Sequence, residues 1–306
     1  MKFHEYLKSC RKKYRFTQEQ FVQELYNFDD SFVGMDTRTL SRWESAHTQP
    51  SLARQVVIMK FLQTLSGDVL SCFEDYDAKE IEESICRVGV SNIVGKNKEL
   101  VLNFPSSYII ADNLKITYLK ESHLLDTTLK VAIAIDNEFT NNYSQLQEED
   151  LKKWLKHPSS FFLICEYEGQ LFGHLFTLKL KPEIFEKVIN FEMHENELKS
   201  SHFAEQNEDG CSYFVGFFAH SQKAASLLFL RYYAHLIVNQ RSILKVGAYT
   251  MMSEIKKLLG RIHLLPKTKT EIDKQVIFSY DAPLDEVLIN EAVLGMIFKK
   301  EDCPEG

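Results

Sequence analysis

The chain has 306 residues, 44% of them hydrophobic, which is enough to bury a core in each of two domains. Its six cysteines (Cys10, Cys72, Cys86, Cys165, Cys211, Cys303) are scattered with no Cys-x-x-Cys pair. That pattern speaks for reduced, buried thiols in a cytoplasm and against a disulfide framework or a zinc site, so no metal is expected.

Apolar runs fall short of the roughly 18 residues of a membrane span, and the opening MKFHEYLKSCRKK lacks the apolar core of a secretion signal. A cytoplasmic protein without membrane contact is the expectation. The net charge of −7 is unevenly spread: residues 1–66 hold ten Lys and Arg against seven Asp and Glu, and the rest holds 26 against 36. A small basic module on an acidic body suits a nucleic-acid reader whose larger part leaves the phosphates alone. A solvated charged helix face would give the same count.

Taken in chain order, Phe3, Leu7 and Cys10 follow helical spacing, and residues 2–13 read as a first helix. Thr17 opens a Thr-x-x-Gln capping box for a second helix, whose buried stripe is Phe21 and Leu25. Asn27–Met35 is turn-like. Asp36 or Thr37 caps a third helix ending near Ala46, and Pro50-Ser51 opens a fourth. Trp43, on the back of the third helix with Leu40, reads as core.

LKSCRKKYRFTQEQFVQEL followed by DTRTLSRWESAHTQPS resembles the XRE (Cro-type) helix-turn-helix family, over about a fifth of the chain. The order Thr-Gln at the second helix, Ser-x-x-Glu late in the third and Pro-Ser before the fourth carries the likeness. Asn27–Met35 departs from it, being several residues longer than the family's turn. The resemblance implies that Thr37, Arg38, Ser41 and Arg42 enter the major groove, where Arg can bond guanine O6 and N7 together. It places Gln18 against phosphate or a base edge. Lys12, Lys13 and Arg15 are the phosphate candidates, adding affinity and salt dependence but little sequence choice. Arg11 and Glu44 match the family's ion pair between the first and third helices.

Residues 67–111 read as an acidic connector with a short helical stretch, Ala78–Arg87, that presents Ile81 and Ile85 on one side. A dimer contact is the other reading of that stretch. From residue 112 to about 300 the elements are a strand (Leu114–Lys120), two helices (Ser122–Phe139 and Gln147–His157), and a hairpin turning at Glu168-Gly169. A polar, amphipathic helical insertion (Pro182–Ser201), a buried strand (Tyr213–Ala219) and an apolar helix (Lys223–Asn239) come next. The chain closes with a strand (Leu244–Tyr249), a short helix (Ser253–Leu259), a strand (Gln275–Tyr280) and a last helix (Leu284–Phe298). The fold class expected is α+β: an all-α helix-turn-helix bundle over 1–66, and an α/β domain with a mixed sheet over 112–300.

That order, with FFLICEYEGQLFGHLF, YFVGFFAHSQKAASLLFL and SEIKKLLGRI in it, resembles the GNAT acyltransferase fold over nearly two-thirds of the chain. The resemblance implies that backbone amides after the fourth strand hold a coenzyme pyrophosphate at a helix N-terminus. The aligned residues are Ser221, Gln222, Lys223, Ala224, Ala225 and Ser226. Ser replaces the motif's leading Arg or Gln, and Ala224 and Ser226 replace its glycines, which costs the closest backbone approach. The family's frequent general acid, a Tyr in the late helix, falls at or beside Lys256, with Tyr249 and Tyr232 out of register. His174, His194, His202 and His220 lack metal-ligand spacing, Glu192, Glu195 and Glu197 read as a solvated face, and no catalytic residue is assigned.

The reading is a transcription regulator, a homodimer on a palindromic double-stranded operator. Its GNAT-like domain senses a small effector (acetyl-CoA or another acyl-CoA at most) or only dimerises. An active N-acyltransferase tethered through its DNA-binding domain is the enzymatic alternative, and a protein-interaction scaffold the third.

Overall fold

The computed structural model describes residues 1–85, 89, 90, 93, 113–140, 143–272 and 275–298. They belong to two compact units, Met1–Val90 with Leu288–Gly306, and Ser91–Val287. Of the expected connector, 86–88, 91, 92 and 94–111 lie outside the described residues.

The first unit is helical. In α1 (Phe3–Lys13), Phe3, Tyr6, Leu7 and Cys10 are buried at the three- and four-residue spacing of one helix face. Thr17 and Gln20 close the expected capping box of α2 (Gln18–Phe28): Gln20 N–H donates to Thr17 Oγ1 at 3.1 Å, and Thr17 N–H donates to Gln20 Oε1 at 2.9 Å. α3 (Thr37–Glu44) starts at Asp36, whose Oδ1 accepts from Thr39 N–H at 2.8 Å. α4 (Leu52–Ser66) ends where Gly67 turns into the left-handed region at φ +77°. Phe21, Leu25, Leu40, Trp43, Ile58 and Leu62 form the interior.

The long turn is not a solvated loop. Asp29 Oδ1 accepts from Ser31 N–H at 2.8 Å, and one 3-10 turn, Asp30–Phe32, puts the Phe32 ring inside at 1% exposure. Its extra residues thus supply core. The acidic stretch after Gly67 is likewise folded: α5 (Ala78–Ser84) starts with an Asp77–Glu80 capping box and buries Ile81, and Ile85 just beyond it is buried too. Residues up to Val90 therefore count with the helical unit and not with a connector.

The second unit runs β1 (Lys115–Tyr118), α6 (Leu125–Thr140), α7 (Glu148–Leu155), β2 (Phe161–Tyr167), β3 (Gln170–Leu180), α8 (Pro182–Ile189), β4 (Gly210–Ala219) and α9 (Gln222–Val238). It continues with β5 (Ile243–Thr250), α10 (Ser253–Arg261), β6 (Leu265–Ile272) and β7 (Gln275–Pro283). The seven strands lie in the order β1-β2-β3-β4-β5-β7-β6, antiparallel except for the β4–β5 pair. The hairpin expected at Glu168-Gly169 turns there, with φ +49° and +76°, as a two-residue turn requires.

Alternation along the strands sends Phe162, Ile164, Phe176, Leu178 and Tyr213 into one core with Leu129, Leu151 and Trp154 of the α6–α7 segment. On the opposite face Phe161 stacks on His235 at 3.9 Å and Phe217 meets Phe229 at 5.1 Å, both partners on α9.

Three elements differ from the sequence reading. The segment 182–201 is not one helix: only Pro182–Ile189 is α-helical, and Phe185 and Ile189 close on Gly247 so tightly that a Cβ there would meet Phe185 at 2.5 Å. β6 was not foreseen, because Leu-Pro-Lys-Thr-Lys-Thr on a sheet edge shows no buried face. The last helix is two, α11 (Leu284–Leu288) and α12 (Glu291–Ile297), broken where Asn290 Oδ1 accepts from Val293 N–H at 3.0 Å. α12 packs on α4 in the helical unit, and Phe298 after it lies 5.0 Å from Phe3 and 5.6 Å from Tyr6, ring to ring.

Candidate functional site

Parallel strands β4 and β5 are paired only from Gly210–Tyr213 against Ile243–Gly247. Past Tyr213, β4 stays with β3 and β5 stays with β7, so the two strands part within one sheet. A β-bulge sharpens the parting: Phe176 pairs with Gly216 and Thr177 with Phe214, which leaves Val215 as the extra residue outside the ladder.

A cavity of about 140 Å³ occupies the gap. Its walls come from both faces of the sheet. Ala132, Asp136, Leu146 and Leu151 face it from the α6–α7 side, and Phe229, Ile255, Leu258 and Leu259 from α9 and α10. Phe214–Phe217 of β4 and Ala248–Thr250 of β5 form the edges. The cavity therefore reaches from one face of the sheet to the other, and it is mainly apolar.

Its polar groups are few: Thr250, whose hydroxyl accepts from Met252 N–H at 3.0 Å, and a set on the α6–α7 side. Tyr249, in the wall, donates its hydroxyl to Glu195 Oε2 at 2.7 Å, and Tyr213 donates to Glu195 Oε1 at 2.5 Å. Glu195 is only 3% exposed. Burial first, and then the charge of Asp136, push its carboxyl up to about 8, against the pull of the two phenols. Burial also raises Asp136, whose carboxylate accepts a short hydrogen bond from Ser144. Burial, reinforced by Glu195, holds the Tyr213 and Tyr249 phenols well above their ordinary value. His174, another wall residue, is fully buried and held neutral by burial, its pKa down to about 3, and its Nδ1 has no hydrogen-bond partner among the described residues.

Sequence reasoning missed this cluster. Glu195 was read as part of a solvated face, because a run of polar residues cannot show that one of them reaches inward beneath two strands. The available signal was Tyr213 and Tyr249 themselves: two tyrosines in otherwise apolar strands need an acceptor for each hydroxyl.

The expected coenzyme residues sit elsewhere. Ser221 caps α9, its Oγ accepting from Ala224 N–H at 3.1 Å, and Ser226 Oγ donates to Gln222 O at 2.7 Å. Ala224, Ala225 and Ser226 are buried, Ser221 and Gln222 half-buried, Lys223 exposed, and none of the six lines the cavity. With the Ala224 amide taken by Ser221, these residues do not fit a glycine-type pyrophosphate cradle. Lys256 places its ammonium 3.8 Å over the Phe278 ring. Tyr232 bonds Ser212 inside the core at 2.8 Å.

In the helical unit, Thr37, Arg38, Ser41 and Arg42 are all exposed on α3, with Leu40 and Trp43 buried behind them. Lys12, Lys13 and Arg15 are exposed as well, and Lys13 pairs with Glu74 at 3.1 Å. Arg11 grips Glu44 with two bonds, Nε to Oε1 at 2.5 Å and Nη2 to Oε2 at 2.9 Å, and also donates to Phe16 O. Gln18 donates to the same Glu44 at 2.9 Å, which makes it a scaffold residue in this arrangement instead of a phosphate or base contact. Among the described residues no His, Cys, Asp and Glu group could hold a metal, and no helix is long and apolar enough to cross a membrane.

No protein-family profile matches the sequence. No curated protein matches it either. Solved structures do align. FeeM, an N-acyl amino acid synthase from uncultured soil microbes, aligns at 9% identity over 57% of this chain and 91% of its own, with a TM-score of 0.39. An N-acetyltransferase from Staphylococcus aureus Mu50 aligns at 10% identity over 56% and 99%, TM-score 0.37. An aminoglycoside N(6′)-acetyltransferase from Legionella pneumophila aligns at 11% identity over 57% and 94%, TM-score 0.34.

Proposed function

We propose that the sheet unit is an acyl-transfer domain, working on an acyl thioester and an amine in the gap between β4 and β5, and that the helical unit is a DNA-reading module. The observation that carries the first half is the cavity itself: a mainly apolar space lined from both faces of the sheet, with Asp136 and the Tyr249–Glu195 pair on one side. The strand and helix order foreseen from the acyltransferase resemblance, with β6 added, supports it.

The chemistry follows from the wall. Asp136 can attract an ammonium group into an otherwise apolar site. Glu195, ionised as pH rises through about 8, can then accept the proton that the nitrogen must lose, with Tyr249 between it and the cavity. The free amine then attacks the thioester carbonyl, a C–N bond forms, the C–S bond breaks, and the thiol leaves with a proton. Coenzyme A is one carrier of such an acyl group, but no step rests on the α9 N-terminus. The test offers acyl groups both as CoA thioesters and as short N-acetylcysteamine thioesters, with a panel of primary amines, and follows thiol release. Turnover is expected, with kcat/KM lowered about 100-fold or more by Tyr249→Phe or Glu195→Gln. Binding of neither thioester form would overturn the proposal.

A second reading, a ligand sensor that binds the acyl group without turnover, is favoured by the capped Ala224 amide and by Lys256 at the general-acid position. Saturable binding with no thiol release selects it. For the helical unit, the exposed Thr37, Arg38, Ser41 and Arg42 over a buried Leu40–Trp43 back support major-groove reading, with the protein a homodimer on a palindromic site. Selection of bound duplexes from a random pool tests this: a recovered palindromic motif supports it, and no enrichment overturns it.

A further inference from the structure

We infer that the acyl group this site takes is a medium-length alkyl chain, not an acetyl group, lying through the sheet with its polar end beside Asp136 and Tyr249. The inference rests on the acyl-transfer reading and goes beyond it in naming the substrate class.

Size is the first ground. An acetyl group offers one methyl to a cavity, and here about 140 Å³ is available. A cavity of that order lined by Leu, Ile and Phe accepts an apolar molecule the size of a benzene ring. Lining is the second. On the α9–α10 side the wall is Phe217, Phe229, Ile255, Leu258 and Leu259, with no charged group among them. An acetyl-sized ligand would leave that half facing nothing it recognises, whereas each methylene laid there strengthens binding by up to roughly fourfold.

Polarity is the third and independent ground. Of the polar wall side chains, Asp136, Tyr249 and His174 lie on the α6–α7 side, where His174 Nδ1, fully buried, has no partner among the described residues, and the Thr250 hydroxyl is already taken by Met252 N–H. A ligand polar at one end and apolar along its length matches both halves at once. The bulge at Val215 and the parting of β4 from β5 give the chain its way through.

The experiment measures binding of acetyl, hexanoyl and decanoyl thioesters of N-acetylcysteamine to the full chain by calorimetry, below their aggregation limits. The expected result is binding that tightens along the series, with decanoyl at least about tenfold tighter than acetyl. Gly216→Leu probes the same space. A Cβ at Gly216 would meet only the His174 ring, at 3.5 and 3.9 Å, so a side chain fits the backbone and projects toward the cavity this residue lines. The decanoyl-to-acetyl ratio should fall to near one in that variant. If thermal unfolding shows it misfolded, Ala132→Leu narrows the cavity from α6 and should do the same.

Acetyl binding as tight as decanoyl in the wild type, or an unchanged ratio in a folded cavity-filling variant, overturns the chain-length inference and leaves the acyl-transfer reading standing. Binding of no thioester overturns both.

Discussion

Glu195→Gln is the substitution that tests most directly whether the carboxyl under the cavity wall is held as a proton acceptor. In the wild type the carboxyl titrates near 8, against an ordinary value of 4.5, because burial and Asp136 disfavour its charge. Between those values the folded protein keeps a proton that the unfolded chain has released. Stability must then fall as pH rises from about 4.5 to about 8, the reverse of a salt-bridged carboxylate. At ~1.4 kcal/mol per pK unit, the loss across the window is bounded at about 5 kcal/mol. Asp136 shares the site and also titrates high, so the two carboxyls release protons as a coupled pair and the slope belongs to both.

Glutamine keeps the shape and one acceptor oxygen, and it removes this titration. The variant should therefore be flatter with pH over the same window. The two tryptophans make the measurement local, since Trp43 lies in the helical unit and buried Trp154 in the sheet unit. In a Trp43→Phe background, Trp154 fluorescence reports unfolding of the sheet unit. Denaturant midpoints at several pH values would be compared for Glu195 and its Gln form. Tyr213→Phe, which deletes a donor that stabilises the charged form, should extend the pH-sensitive range upward. Equal pH slopes for wild type and Glu195→Gln would refute the reasoning.

Three further outcomes are expected. Arg11→Ala strands a Glu44 side chain that is 4% exposed and should cost the helical unit about 3–5 kcal/mol, read from the Trp43 signal in a Trp154→Phe background. Burial pushes Glu44 up, but Arg11 and Gln18 outweigh it and hold its carboxyl below the ordinary value. Its stabilisation should accordingly be complete above about pH 4.5 and vanish as pH falls through the lowered value, a trend absent from Glu44→Gln. On a selected duplex, Arg38→Ala and Arg42→Ala should each lose about 1–3 kcal/mol and relax one base position, whereas Lys12→Ala should weaken all sequences alike and flatten the salt dependence. Truncation after Val287 removes α12 and Phe298 from Phe3, Tyr6 and α4, and circular dichroism should show the helical unit melting earlier.

How far the sequence could be read depended on whether a residue's task was local. The Thr17–Gln20 capping box, the Arg11–Glu44 pair and the Glu168-Gly169 turn are set by residues a few positions apart or by a known pairing pattern, and they were visible. The order of strands and helices up to α10 was visible for the same reason, since periodicity switches along the chain. What failed to show was partnership across long separations. Glu195 earns its burial only because Tyr213 and Tyr249 lie over it, 18 and 54 residues away. α12 looked like the end of the sheet domain because Leu284–Phe298 keeps helical spacing throughout, and only Asn290, a capping residue in its middle, marked the break. The Ser221–Ser226 segment shows the converse: its residue types were right for a helix start, and the cap they form uses an amide that a ligand would need.

The path of the chain bears on whether the cavity and the helical unit act as one device. The sheet unit is an insertion: the chain leaves the helical unit near Val90 and re-enters it at Leu288. β5, which lines the cavity through Tyr249 and Thr250, is paired residue by residue with β7 at Ser279 and Phe278. β7 runs on through α11 to α12, which packs on α4, the helix that follows α3. An occupant that shifts β5 therefore has a continuous covalent and hydrogen-bonded line to the helical unit. The expected consequence is a coupling of about 5- to 150-fold between decanoyl thioester and a selected duplex, the range of ordinary allosteric coupling. Linkage demands that the thioester change duplex affinity by the same factor as the duplex changes thioester affinity. Titrating each ligand in the presence and absence of the other checks both arms. Equal affinities in all four titrations would mean that two independent functions share one chain, and the truncation after Val287 should then leave thioester binding untouched while weakening duplex binding.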